Sequence, residues 1–339
     1  MSEAMIQPKI RHPLLPVLVT AAGMLVALNV AIAALSHRLP YRLKLDAISK
    51  APSPNLLFVG NSLLDHHLDE NALVGAATAK GSHFVSLNAA LGASEPPEQR
   101  LLFQYAEQQH PEITTLVVGF YDFQLTADKH FDAGDLSGNR MVGIDHRFPV
   151  PEVVQAYSFD ARNQAELALM RAVPMAANRA SAWKNVELLR RSMASIGMPT
   201  VATNSMGRVE DFSALEAGSA QIFDAQAQAF LADPRHFNAS YEAIFAQARK
   251  ANMRVVLVAM PMSPTHLATY YARPLWSQYL QAFNQLAATD NIQVIDASRW
   301  FPGENDFADH LHMTMEAAHV FSLRLGSELP NMIQAAANG

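Results

Sequence analysis

The sequence predicts an α/β protein: a three-layer α/β/α sandwich around a mainly parallel sheet, preceded by one N-terminal transmembrane helix. Three observations lead there. Half of the 339 residues are apolar, enough for a large buried core. Short apolar runs alternate with helical stretches, as in strands joined by crossover helices. Ahead of them, Leu14 to Leu35 carries no charge. At ~1.5 Å per residue this segment is ~33 Å long, about the thickness of a bilayer core.

The chain divides into a tail and anchor at 1–36, a juxtamembrane linker at 37–54 closed by Pro52 and Pro54, and a domain at 55–339. The length of Leu14–Leu35 favours an uncleaved anchor. Ala31-Ile32-Ala33 resembles a cleavage site, so a signal peptide is the other reading. A short tail before a single N-terminal span is the geometry of a signal anchor. It places the body outside the cytoplasm, in a periplasm where there is one, although Arg38, Arg42, Lys44 and Lys50 follow the span.

Within the domain, Asn55–Val59, His83–Leu87, Thr114–Val118, Arg254–Ala259 and Gln293–Ile295 read as buried strands. Pro97–Gln109, Tyr241–Ala251, Leu275–Ala288 and Met315–Leu325 read as the helices between and after them, the first with Pro in its opening turn. Residues 123–240 break the rhythm. They hold helical stretches at 161–172, 176–195 and 217–232 but no strand pattern, and read as an insertion after the third strand. Ligands bind beyond the carboxyl ends of strands in open α/β sheets, so this insertion either walls a groove or pads the core.

Composition excludes several functions. There is no Cys, hence no disulfide framework, Cys zinc site or thiol nucleophile. The formal charge is −6, and residues 1–50 hold six of the 25 basic and two of the 31 acidic residues. The acidic remainder argues against nucleic acid. No cofactor is expected, since no phosphate-cradling glycine motif and no metal-ligand spacing is present.

Three places could carry chemistry. Ser62, in Gly60-Asn61-Ser62-Leu63, follows a buried strand, where N–H groups at a helix start favour an oxyanion. The stretch Ser62 to Asp65 also fits a capping box. Asp309-His310-Leu311-His312 precedes the last helix; an Asp three residues before a His can orient it as a base, or simply cap the helix. Gly92 and Gly119-Phe120-Tyr121-Asp122 end the second and third strands, where backbone N–H groups can be offered or a turn simply made. His66 and His67 adjoin Ser62, but neighbours on a helix face different ways.

In this order the motifs resemble the SGNH (GDSL-like) hydrolase superfamily, over about residues 55–328 apart from the insertion. The resemblance implies a flavodoxin-like SGNH fold. It implies Ser62 as nucleophile, His312 as base and Asp309 as its orienting carboxylate. It further implies Gly92 as an oxyanion donor, with Asn61 and Tyr121 beside it in the oxyanion and substrate-binding region. Two departures stand out: Gly-Asn-Ser replaces Gly-Asp-Ser, and Tyr121 stands where the family has an Asn. The implied activity is an acyl-ester hydrolase or O-acyltransferase. The single N-terminal span resembles the architecture of envelope members that acylate polysaccharides, within an envelope acyltransferase complex. Tyr121 in place of Asn leaves a second reading, a catalytically silent, membrane-tethered subunit that binds glycan or assists assembly.

Overall fold

The structure, a computed structural model, describes residues 14–35, 39–178 and 219–335. Helix α1 is Leu14–Leu35, and Pro16–Ala33 within it is long and apolar enough to cross a membrane. Its lower part touches the body, since Asn29 Oδ1 accepts the Met175 N–H at 3.0 Å. The helix is therefore tied to the body toward its C-terminal end. An amide in an otherwise apolar helix gains by finding a partner.

Residues 40–50 correct the expectation of a linker. They form helix α2 (Pro40–Lys50), with Pro in its first turn. Tyr41, Leu45 and Ile48 lie on one face at helical spacing and are fully buried. The Ile48 carbonyl is bound to His110 Nε2 at 2.6 Å. This segment belongs to the core.

The domain then alternates as expected: β1 (Leu56–Val59), α3 (Ser62–Asp65), α4 (Glu70–Ala79), β2 (Ser86–Asn88), α5 (Pro96–Gln109) and β3 (Thr115–Phe120). A mainly helical stretch follows with α6 (Val150–Tyr157), α7 (Ala161–Ala172), α8 (Pro174–Ala177), α9 (Ser219–Ala232) and α10 (Ala239–Lys250). The chain closes with β4 (Arg254–Ala259), α11 (Pro274–Thr289), β5 (Gln293–Asp296) and α12 (Met315–Ala335). Most of the helix expected at 176–195 lies outside the described residues.

All five strands are parallel, in the order β2-β1-β3-β4-β5, with helices on both faces. The central strands β1 and β3 are wholly buried, which is why they read as unbroken apolar runs. The second strand is shorter and later than expected. Ahead of it the Asn55 side chain accepts the Val85 N–H and donates to the His83 carbonyl, while the Val85 carbonyl accepts the Asn55 and Leu56 N–H groups. On one face α4 packs on α12, where a Cβ at Gly326 would lie 2.2 Å from the Leu73 carbonyl. Elsewhere α5 packs against α2 and α10.

Candidate active site

The turn after β1 is built by close packing. A Cβ at Gly119 on β3 would meet the Leu64 side chain at 2.5 Å, so Gly lets the first turn of α3 settle on the sheet. The N-cap of α3 is Asn61, whose Oδ1 accepts the Leu63 N–H at 3.0 Å. Its amide nitrogen donates to Gln124 Oε1 at 3.3 Å. Asn61 therefore borders the cavity with both ends of its amide engaged, and it relieves Ser62 of the capping role that the sequence allowed.

The Ser62 hydroxyl lies 2.9 Å from His312 Nε2. On the other side of the ring, His312 Nδ1 is 2.8 Å from Asp309 Oδ2 and 3.0 Å from Oδ1. Asp309 Oδ1 also accepts the N–H groups of Leu311 and His312, at 2.8 and 2.7 Å. Burial alone would raise the Asp309 pKa, but the His312 hydrogen bond and these two N–H groups outweigh it and hold it at about 2. An ionised Asp309 accepts from Nδ1–H, which leaves Nε2 as the acceptor for the Ser62 O–H. Both partners stay open to water: the His312 side chain is 30% exposed and that of Asp309 34%.

Gly92 does not take the place expected of it. Its N–H donates to Asp65 Oδ2 at 2.8 Å, and Lys44 Nζ holds the other oxygen of that carboxylate at 2.8 Å. The expectation that the Gly92 N–H faces the reacting centre is thereby corrected: a charged acceptor beside it claims the proton. The next residue, Ala93, lines the cavity beside Ser62 and adopts a left-handed φ of 58°. Its N–H has no acceptor among the described residues, and neither has that of Ser62. Sequence reasoning missed Ala93 because nothing marks an alanine that will turn left-handed.

Tyr121 lines the same cavity. Burial, reinforced by the Asp122 and Glu95 carboxylates, pushes its phenol up to about 12, so the hydroxyl keeps its proton. The cavity measures about 530 Å³. Residues between β3 and β4 supply much of its wall, among them Gln124, Lys129, Arg140 and Gln226. Lys129 is paired with Glu95 at 2.7 Å, and Arg140 with the fully buried Glu98 at 3.2 Å.

Two further histidines stand at this edge. His266 is buried and bound to Asp122. His67 is buried against the Ser62 carbonyl, whereas the His66 side chain is 47% exposed. Among the described residues, no group of three or more His, Asp or Glu could hold a metal.

No protein-family model and no curated protein matches this sequence. Solved structures align with it, two acylhydrolase structures among them. The lipase/acylhydrolase of Enterococcus faecalis matches at 10% identity over 82% of this chain and 95% of its own, with a TM-score of 0.38. An acylhydrolase-like protein of Bacteroides fragilis matches at 10% identity over 86% and 94%, with the same TM-score of 0.38.

Proposed function

We propose that this chain is a serine-dependent acyl-ester hydrolase or O-acyltransferase of SGNH type, acting on a cell-envelope or extracellular polysaccharide. The observation that carries the reading is the continuous line from Ser62 Oγ through His312 to an ionised Asp309. Ser62 Oγ attacks the ester carbonyl while His312 Nε2 takes its proton. The oxyanion is held by the N–H groups of Ser62 and Ala93, with the Tyr121 hydroxyl as a third donor. His312 then protonates the leaving alkoxide, and an acyl-Ser62 ester remains. In the second half, His312 deprotonates water or a sugar hydroxyl, which attacks the acyl carbon, and His312 returns the proton to Ser62 Oγ as the acyl–oxygen bond breaks. Glu95, Gln124, Lys129 and Arg140 give the cavity wall polar groups that can hydrogen-bond a hydroxyl-rich ligand. Helix α1 anchors the enzyme in the cell membrane, with the body outside the cytoplasm and within reach of an envelope acyltransferase complex.

The test uses the full chain in detergent, with a short acyl-ester chromogen and a fluorophosphonate probe, beside Ser62→Ala. Turnover and labelling that both vanish in Ser62→Ala support the enzyme. A wild-type chain that neither turns over nor labels would favour the silent glycan-binding or assembly subunit, the reading that Tyr121 in the Asn position invites.

A further inference from the structure

We infer that His67 is a positioning residue that fixes Ser62 and His312 relative to each other. The inference extends the acyl-ester reading above to a residue outside the relay. The chain leaves α3 at Asp65 and turns back, so that His67 lies 1% exposed beneath the nucleophile. Its Nδ1 is 3.0 Å from the Ser62 carbonyl oxygen. A carbonyl only accepts, so Nδ1 carries the proton and the tautomer is set. The same ring lies against His312, with centroids 5.5 Å apart and planes inclined by 34°. One rigid side chain thus touches the main chain of the nucleophile and the ring of the base, which are 250 residues apart in sequence.

The charge state fits this role. Burial, with His312 and His66 nearby, lowers the His67 pKa, opposed by the Ser62 and Met313 carbonyls. A neutral ring can stay in place when His312 becomes an imidazolium, where a cation would repel it. The contact with His312 restricts rotation of the base about its Cβ. The hydrogen bond restricts the Ser62 backbone, and with it the direction of the Ser62 N–H. A misplacement of about 1 Å at a reacting pair costs on the order of 100-fold in rate.

Three variants separate the two contacts in the full-length chain. His67→Ala removes both, His67→Asn can keep a donor near the Nδ1 position, and His67→Phe keeps a ring face. The expected result is a roughly 10- to 100-fold fall in kcat for His67→Ala, with KM within about twofold. Asn and Phe should each restore part of the loss. Urea unfolding establishes the folded fraction, and if the Ala variant does not fold, Asn and Phe decide by each falling between about twofold and 50-fold below wild type. Unchanged kcat per folded molecule, or a loss in His67→Ala that neither Asn nor Phe lessens, would overturn the inference. A readout free of turnover separates this from the acyl-ester reading. Carbethoxylation of His312 by diethyl pyrocarbonate, followed by mass spectrometry, should be several-fold faster in His67→Ala, because the ring is no longer held. An equal rate would count against the positioning role. Absence of turnover in the wild type would instead refute the acyl-ester reading and leave the carbethoxylation rates to decide this one.

Discussion

His312 and His266 each hold an aspartate at hydrogen-bond distance, 2.8 Å to Asp309 Oδ2 and 2.9 Å to Asp122 Oδ1. The two pairs follow strands of one sheet, yet their surroundings differ. The His312 side chain is 30% exposed and presents its second nitrogen to Ser62. The His266 side chain is 4% exposed, with the rings of Tyr270 and Tyr271 packed around it at 4.7 and 5.2 Å. Asp122 also accepts the Tyr271 hydroxyl at 2.9 Å and has a left-handed φ of 46°. That second pair braces the turn that carries Tyr121. The chemistry of a His–Asp pair is therefore decided by access and by the third group, not by the pair.

Substitutions at the exposed pair should dominate activity. Ser62→Ala and His312→Ala should each lower turnover of an acyl ester by about 10⁴- to 10⁶-fold, and the double variant little further, because the members act as a unit. Steady-state kinetics on the full chain checks this, and additive losses would break the scheme.

Asp309→Asn should cost less, about 10²- to 10⁴-fold, if Asp309 only orients His312. The same residue sets an acid limit on stability. Its pKa lies below the ordinary 3.8, at about 2, so its contribution is fully present above 3.8 and is lost as the pH falls through about 2. Acid unfolding monitored by circular dichroism should lose part of that dependence in Asp309→Asn.

Tyr121→Phe sharpens the oxyanion assignment. Turnover should fall about 10- to 1,000-fold with folding nearly unchanged, since only one hydroxyl is removed. Unchanged turnover would leave the oxyanion to the Ser62 and Ala93 N–H groups.

At the pair of buried His266 with Asp122 the effect should move from rate to stability. His266→Leu removes the imidazole partner of Asp122 and leaves it only the Tyr271 hydroxyl as side-chain donor, which should cost about 1–3 kcal/mol in urea unfolding. Turnover should fall by less than about tenfold, well below the effect at the exposed pair. A larger catalytic loss would mean that His266 has a part in the chemistry.

The smallest effect is expected at Ala93→Gly. A left-handed alanine is strained by about 1–2 kcal/mol, and glycine loses about 0.5–1 kcal/mol through its freer unfolded chain. The net should be a gain of about 0.5 kcal/mol, with turnover retained because the N–H remains. A marked loss of turnover would show that the Ala93 methyl itself shapes the cavity.

Local signals carried much of the architecture. Leu56–Val59 and Thr115–Phe120 are buried on both faces, so their apolar runs announced them, and the Pro residues opening α5 marked its start. Asp309 and His312 were legible as a possible pair because three residues on one turn suffice to join them. Ser62 was legible because a polar residue directly after a buried strand must emerge at the sheet edge. The tertiary structure alone decided the rest. Arg42, Lys44, Asp46 and Lys50 make α2 polar enough to read as a linker, and only the docking of Tyr41, Leu45 and Ile48 reveals a core helix. Gly92 and Ala93 differ by one position, but adjacent N–H groups point different ways, and the Asp65 carboxylate takes the first. His66 and His67 were indistinguishable in the chain. One faces water and the other touches both Ser62 and His312, because contact across 250 residues is set by packing and leaves no pattern in the neighbouring sequence.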